Sequence, residues 1–334
     1  MSPARPLALS LGDPAGVGPE IIAKAWRTLS GERTAFAVVG DADVLAGEGV
    51  PVRRIASLHE APEVFGSALP VLHAPCQAPP KPGVSDSLNA AAITGWIETG
   101  VRLALGGEAS GVVTAPIAKA PLYAAGFRFP GHTEFIADLT ADEAYEGQRG
   151  PVMMLTAADL RVCLVTIHVP LAEVPELVTA ERVVRTATVA HEALRRDFGI
   201  DRPRLALAGL NPHAGESGAL GLEEAEVLAP AVAQLRQAGI EITDPLPADT
   251  LFHAEARRTY DAAICLYHDQ GLIPVKTLDF WGGVNATLGL PIIRTSPDHG
   301  VGYAIAGQGI ARPDSLIAAI RLAAEMAERR AHAR

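Results

Sequence analysis

The sequence predicts an α/β protein built on a mostly parallel sheet that is covered on both faces. Short, almost continuously apolar runs, typical of strands buried on both faces, alternate with longer stretches of helical periodicity. The chain has 334 residues, of which 49% are hydrophobic and 20% charged. That length suits two domains or one large α/β unit, and the composition argues against disorder as the main state.

Strands are predicted where apolar, β-branched runs occur. These runs cover residues 6–11, 35–40, 111–115, 160–167, 204–209 and 261–267. Helices are predicted where apolar residues recur at helical spacing, or where a first-turn proline such as Pro19 follows a glycine. These stretches cover residues 19–29, 89–105, 179–197, 222–238 and 315–332. The Pro-rich segment 74–84 is predicted to be an exposed connection.

Charge and cysteine content argue against several classes of protein. A net charge of −10 disfavours nucleic acid or an anionic membrane as the principal partner. The three cysteines, Cys76, Cys163 and Cys265, are too few and too scattered for a disulfide framework. Because no apolar run approaches the length of a membrane span and the first residues lack the pattern of a secretory signal, we expect a cytoplasmic protein.

Polar residues follow the predicted strands, where α/β proteins collect their ligands. His168, His213 and His268 each come shortly after a different strand, 45 and 55 residues apart. Any one of them could be an unrelated surface or hydrogen-bonded histidine, but three at one sheet edge favour a shared metal site with an open position. Asp269 and Glu216 could orient these imidazoles, or be ordinary solvated carboxylates.

Three segments carry features that suit an anion. The turn GDPAGVGPE (12–20) could bring backbone N–H groups to a ligand, or be a tight strand–helix turn. In GHTEF (131–135), His132 and Thr133 could contact a phosphate. Arg294 follows an apolar run and could bind a carboxylate or phosphate in a fork, or form a surface ion pair.

Lysine is rare in this chain, with 4 residues against 24 arginines. Lys119 and Lys276 lie near the candidate strand ends, where each could serve as acid or base or be an ordinary surface lysine. Lys24, on the first predicted helix, is expected to be solvated, and Lys81 lies in the Pro-rich connection.

Several of these segments together resemble one enzyme family. The blocks, in chain order, are GDPAGVGPE, TAPIAK, GHTEF, TIHVPL, GLNPHAGE, PLPADTLF, YHDQG, GVNATLGLP and IRTSPDHG. They resemble the 4-hydroxythreonine-4-phosphate dehydrogenase family of the vitamin B6 pathway over roughly residues 6–328. The later stretch DHG…AGQGIARPD also looks like the cofactor loop of the isocitrate and isopropylmalate dehydrogenases, which bind NAD(P) without the Rossmann fingerprint.

The resemblance implies a two-domain α/β/α sandwich of the isocitrate/isopropylmalate dehydrogenase type, with a cleft between the domains. One domain would comprise 1–136 plus 285–334, including both termini and the cofactor loop. The other, 137–284, would carry metal, substrate and dimerisation functions. The resemblance also implies a homodimer across which the metal site is completed, so that the active cleft contains residues of both subunits.

The resemblance assigns residue roles as follows. The implied metal ligands are His168, His213 and His268, and the implied substrate contacts are His132, Thr133, Lys276, Asn285 and Arg294. The implied cofactor-loop residues are Asp298, His299, Gly300, Gly307 and Gly309. Catalytic roles fall to Lys276, Asp249 and Asp269, with Lys276 ahead of Asp249 as proton acceptor.

The implied reaction is an NAD- or NADP-dependent oxidation of 4-phosphooxy-L-threonine that also requires a divalent metal, either Zn, Co or Mg. Its product is a β-keto acid that decarboxylates to 3-amino-2-oxopropyl phosphate. One alternative is a paralogue that oxidises threonate or erythronate 4-phosphate. A metal hydrolase and a non-catalytic phosphate-binding module are the alternatives from other classes.

Overall fold

The structure is a computed structural model that describes residues 5–332, and these fall into two compact units. The first unit extends from the start of the described chain to Ala144 and resumes over Leu290–Glu328. The second comprises Tyr145–Gly289 and a short stretch from Arg329 onward. The domain bounds given above stay a prediction.

The strands of the described chain confirm a mostly parallel arrangement. They are β1 (Leu7–Ser10), β2 (Phe36–Gly40), β3 (Val52–Ile55), β4 (Leu69–His73), β5 (Val112–Thr114), β6 (Val152–Ala157), β7 (Leu160–Leu164), β8 (Arg204–Leu207), β9 (Glu241–Ile242), β10 (Ala262–Cys265), β11 (Val284–Leu288) and β12 (Arg294–Pro297). The first unit has the order β3-β4-β2-β1-β5-β12, paired in parallel. The second has the order β11-β6-β7-β10-β8-β9, in which β6 is antiparallel to β7 and β11.

The helices form where the periodicity predicts them, with shorter helices in the connections. They are α1 (Gly18–Leu29), α2 (Ala42–Ala46), α3 (Ala61–Val64), α4 (Ala90–Leu105), α5 (Lys119–Ala124), α6 (His132–Leu139), α7 (Val174–Leu177), α8 (Ala180–Arg196), α9 (Ala229–Gln237), α10 (Ala254–Arg257), α11 (His268–Leu278) and α12 (Asp314–His332). Within residues 5–332, none of them combines the length and the hydropathy needed to cross a bilayer.

The helix predicted over 222–238 is divided into two parts. It begins with a π-helical turn over Glu224–Leu228 and continues as α9. Pro230 is the cause, because proline has no N–H to donate to the preceding turn. The N–H of Ala229 instead bonds to the carbonyl of Glu224, five residues back, and widens the helix.

In the second unit, β10 is buried along its whole length, and β7 is buried apart from Arg161. Helices α8 and α11 pack against both strands. The side chains of Leu155, Val162 and Cys265 belong to one core cluster. Burial on both faces explains why these strands are nearly continuous apolar runs in the sequence.

Three strands of the second unit determine where the candidate site lies. Strand β10 pairs in parallel with β7 and with β8, so that Cys265 is opposite Leu164 and Ile264 is opposite Leu207. Because the three strands run in the same direction, the segments that follow them leave from the same edge of the sheet.

Candidate functional site

The three candidate metal histidines follow β7, β8 and β10 at this shared edge. The rings of His168 and His268 lie close together, with their centroids 5.6 Å apart and their planes inclined by 44°. His268 is the first residue of α11, and its Nδ1 lies 2.8 Å from Oδ1 of Asp269. A carboxylate on Nδ1 orients an imidazole so that Nε2 can serve as the metal ligand.

His213 lies in an unusual backbone segment after β8. The turn Pro212–Gly218 contains five successive residues with positive φ, starting at His213 with φ 52°. Four of the five are not glycine, so this conformation carries a steric cost that the surroundings must offset. In the structure, the possible ligand atoms of the three imidazoles do not all come within 4.8 Å of one another.

Glu224 holds the start of this segment in place. Its buried carboxylate accepts the N–H groups of Leu210 and Asn211, both at 2.8 Å, and the side-chain amide of Asn211 at 3.0 Å. Burial alone would raise the pKa of Glu224, but hydrogen bonds from the side chain and backbone of Asn211 outweigh it and lower the pKa. Glu224 was not predicted, because its partners lie 13 and 14 residues away.

Two further side chains connect the segments that carry the histidines. Gln270 accepts the N–H of Leu266 at 2.7 Å and donates to the carbonyl of Gly209 at 2.7 Å, joining the ends of β10 and β8. Thr166 donates its hydroxyl to the carbonyl of Leu266 at 2.7 Å, joining the ends of β7 and β10. Gln270 lies in the block YHDQG, but no role is assigned to it from the sequence.

A different group has the tightest clustering of possible metal ligands in residues 5–332. Asp41, Asp43 and His73 have ligand atoms within 4.8 Å of one another. Their atoms already serve the local fold, since Asp41 caps α2 by accepting the N–H of Asp43, and His73 Nδ1 accepts the N–H of Ala42. Asp43 is also paired with Arg54 through both carboxylate oxygens.

The first unit brings together a second set of predicted residues around Arg294. This arginine begins β12, is only 2% exposed, and donates to Thr114 Oγ1 at 2.7 Å. Burial lowers its pKa to about 10, and the carboxylate of Glu134 opposes that shift. The surface ion pair considered as an alternative for Arg294 is therefore wrong.

His132 and Thr133 occupy the first turn of α6, near Arg294. The Nε2 atom of His132 is buried and has no hydrogen-bond partner among residues 5–332. Burial, together with the charges of Arg294 and Lys119, keeps the pKa of His132 well below its usual range. A neutral imidazole, a buried guanidinium and the start of an eight-residue helix form a group that suits a phosphate.

The remaining predicted residues divide between the units. In the second unit, Lys276 Nζ lies 5.3 Å from the centroid of the Phe280 ring. Asn285 Oδ1 is buried without a hydrogen-bond partner in the described chain, and Asp249 is exposed in a 3-10 turn. The predicted cofactor-loop residues all lie in the first unit, between β12 and α12. There, Gly307 and Gly309 have φ of 74° and 73°.

Hydrogen bonds within the first strand–helix turn show how several of its backbone amides are used. The N–H groups of Asp13, Gly16 and Val17 donate to protein carbonyls, and that of Ala15 donates to the Asp13 carboxylate. The segment is therefore a tight turn in which these four amides are already used within the protein.

The expected solvation of Lys24 is wrong, because its ammonium makes an ion pair with Glu20 and also bonds to backbone carbonyls.

Comparison with known proteins gives concordant results. The family model described as "Pyridoxal phosphate biosynthetic protein PdxA" matches residues 32–323. A protein of Caulobacter vibrioides named 4-hydroxythreonine-4-phosphate dehydrogenase is 62% identical, over 98% of this chain and 99% of its own.

Solved structures agree with the sequence relatives. A Klebsiella pneumoniae structure titled 4-hydroxythreonine-4-phosphate dehydrogenase matches 97% of this chain and 100% of its own, with 38% identity and a TM-score of 0.86. A Burkholderia xenovorans structure titled terephthalate 1,2-cis-dihydrodiol dehydrogenase matches 96% of this chain and 98% of its own, with 28% identity and a TM-score of 0.65.

The lowered pKa of His132, whose Nε2 atom is buried, predicts a specific dependence of stability on pH. Since its pKa is lowered in the folded state, the unfolded chain takes up the proton first as the pH falls below about 6.5. The wild type should lose about 1 kcal/mol more stability than His132→Gln between about pH 7.5 and about pH 5.5. Denaturant unfolding at both pH values measures this, and an equal loss in the two proteins would contradict it.

Proposed function

This chain belongs to the PdxA family of pyridoxal phosphate biosynthetic proteins, and from that premise we propose that it oxidises 4-phosphooxy-L-threonine with NAD+ or NADP+. The product is a β-keto acid that loses CO2 to give 3-amino-2-oxopropyl phosphate. The observation that carries the proposal is the polar group around Arg294, which suits a phosphate and which the family relationship links to a phosphorylated substrate.

His168, His213 and His268 are the proposed ligands of one divalent metal. The three imidazoles lie at one sheet edge, and Asp269 orients His268. Such a donor set fits Zn or Co, and Mg is the third candidate. The bound metal would stabilise negative charge on the substrate oxygen during oxidation and decarboxylation. Gln270 and Thr166 contribute by keeping the segments that carry these histidines at a fixed separation.

The substrate phosphate is assigned to His132, Thr133 and Arg294. A neutral His132 can donate its Nε2 proton to a phosphate oxygen, which would remove the cost of that buried, unpartnered atom. Arg294 keeps its charge at neutral pH because its lowered pKa of about 10 is still well above 7. Contacts far from the reacting carbon hold the substrate in register for the chemical step.

Lys276 and Asn285 are assigned to the substrate as well. The Lys276 side chain, acting as a neutral amine, is the proposed acceptor of the proton from the hydroxyl that is oxidised, and it becomes an ammonium in that step. Asp249 is the second candidate for this role, and Asp269 acts on His268. The hydride goes to the nicotinamide of NAD+ or NADP+, which accepts two electrons and one proton in that form.

The cofactor is assigned to the loop that contains Asp298, His299, Gly300, Gly307 and Gly309. A Cβ atom added at Gly300 would meet nothing within 4 Å, and Gly300 does not have a positive φ. Neither packing nor backbone conformation therefore explains a glycine at this position, whereas the close approach of a ligand does.

The cytoplasmic location stays a prediction from the sequence.

A homodimer with residues of both subunits in the active site is part of the proposal. Of the eleven large apolar side chains that are exposed in the described chain, seven lie in the second unit. Four of these lie on α11 or within three residues of its end, and we call them the α11 patch: Ile273, Leu278, Phe280 and Trp281. Exposed apolar groups of this kind favour association, and the patch includes the neighbour of Lys276.

A direct assay tests the proposed reaction. Reduced nicotinamide should form from 4-phosphooxy-L-threonine with either NAD+ or NADP+, and a chelator should abolish it. Side-by-side kinetics with threonate and erythronate 4-phosphates should give a lower kcat/KM, in line with the names of the relatives. A large preference for a sugar-acid phosphate, or turnover without nicotinamide, would contradict the proposal.

Replacing Lys276 separates proton transfer from metal binding. Lys276→Ala should lower kcat by about 100-fold or more, the usual contribution of a general base, while the metal content stays unchanged. His268→Ala is the matched comparison and should lose the metal. Metal analysis and steady-state kinetics on both variants check this, and unchanged turnover in Lys276→Ala would refute the assigned role.

Charge introduced into the α11 patch should separate the subunits. Ile273 is 64% exposed, and Ile273→Glu should convert a dimer to a monomer and reduce turnover, because the site needs both subunits. Leu88→Glu, at a side chain 61% exposed in the first unit, is the control and should remain dimeric. Light scattering after size exclusion gives the masses, and a dimeric Ile273→Glu protein would argue against this surface.

A further inference from the structure

The proposed cofactor loop, residues 298–311, is held by the turn that joins β1 to α1. The N–H of Val17 donates to the carbonyl of Val301 at 2.8 Å. The hydroxyl of Tyr303 donates to Oδ2 of Asp13 at 2.6 Å. Burial and the neighbouring Asp13 raise the pKa of Tyr303 to about 12, so this hydroxyl remains a donor at neutral pH.

The far end of the loop is held by a single lysine. The Lys24 ammonium donates to Oε1 of Glu20 at 2.7 Å, to the carbonyl of Ala311 at 2.7 Å and to the carbonyl of Gly309 at 3.0 Å. An ammonium has three protons, and each of them finds an acceptor here. Glu20 Oε1 also accepts the N–H of Ala311 at 2.7 Å, so both backbone polar groups of Ala311 are fixed.

This arrangement requires a lysine. Three acceptors converge on one nitrogen, whereas the planar guanidinium of arginine distributes its donors over a fork. The chain has 24 arginines and only 4 lysines, and yet lysine stands at this position. Glu20 is 4% exposed, and its Oε2 is buried without a hydrogen-bond partner among residues 5–332, a cost that the simple packing of a helix would not require.

We propose that Glu20 and Lys24 are positioning residues that hold the cofactor loop in its binding conformation before the dinucleotide arrives. The proposal rests on the assignment of residues 298–311 to the cofactor. Gly309 has a φ of 73°, and the space beside its Cα is open, while its carbonyl is held by Lys24. The loop thus keeps its backbone fixed on one side and accessible on the other, which lowers the ordering cost of binding.

The test compares two cations on the same helix. Lys24→Gln removes the contacts to the loop, and Lys24→Arg keeps the charge without the three-point geometry. Arg27→Gln is the control, because Arg27 also donates from α1 to backbone carbonyls, at Glu48 and Gly49, away from the loop. For each protein, hydrogen exchange of residues 298–311 is measured without cofactor, together with the calorimetric Kd for NAD+ and NADP+ and the steady-state constants.

We expect faster exchange at residues 309–311 in both Lys24 variants. Both variants should show a rise of about tenfold in Kd and KM for the cofactor. This is the rise expected if the binding conformation of the loop falls to about a tenth of the population. Their kcat at saturating cofactor should stay within about twofold of the wild type. Exchange that is unchanged in Lys24→Gln, or an equal effect in Arg27→Gln, would overturn the proposal.

Gly300→Val distinguishes a failure of the loop assignment from a failure of the positioning role. The added side chain should occupy the open space beside Gly300 and weaken cofactor binding, without affecting the contacts of Lys24. If the Kd for cofactor is unchanged in Gly300→Val, the assignment of the loop is wrong and the proposal falls with it. If Gly300→Val weakens binding but Lys24→Gln does not, the positioning role alone is refuted.

Discussion

The parallel pairing of β7, β10 and β8 is the constraint on which the candidate metal site depends. Each strand sends one histidine beyond its carboxyl end, and only a common strand direction brings three such side chains to one edge. Close packing opposes a shift of register, because the buried side chains of these strands already fill a core shared with their neighbours. Thr166 and Gln270 continue the alignment past the strands, where the loops would otherwise be free to separate.

Electrostatics imposes a second constraint on any anionic ligand. The chain carries a net charge of −10, so a phosphorylated substrate must be attracted by local groups against the overall field. Burial makes such groups effective, because a charge in a low-dielectric environment interacts more strongly than the same charge in water. Arg294 supplies a buried positive charge, and the neutral His132 adds a donor without adding a second charge that would need compensation.

Six strands could be predicted from the sequence because they are apolar runs: β1, β2, β5, β7, β8 and β10. Strands β4 and β6 were not predicted, although each lies between two other strands of its unit and is mostly buried. Strands at the margins were also missed, since β3 has two exposed arginines, Arg53 and Arg54, and β9 has only two residues. Strand β12 begins with a charged residue, Arg294, so a search for apolar runs does not detect it although the strand is fully buried. The hydrophobic pattern therefore finds six of the twelve strands of the described chain, and the strands it misses include inner ones as well as marginal ones.

The part of the candidate site that could be predicted consists of residues whose type and position after a strand are typical of a ligand site. Histidines after three strands could be found in this way, whereas the roles of Glu224 and Gln270 depend on partners in other loops. Lys24 shows most clearly what sequence patterns cannot predict. Its acceptor at Gly309 lies 285 residues away, and no local pattern can reveal such a contact. Contacts of this kind become visible only when the fold is known.

Anomalous X-ray diffraction from the protein loaded with zinc or cobalt shows directly whether the histidine edge binds the metal. We expect an anomalous peak about 2.0–2.1 Å from an imidazole nitrogen of each of His168, His213 and His268. A peak at Asp41, Asp43 and His73 with none at the three histidines would contradict it.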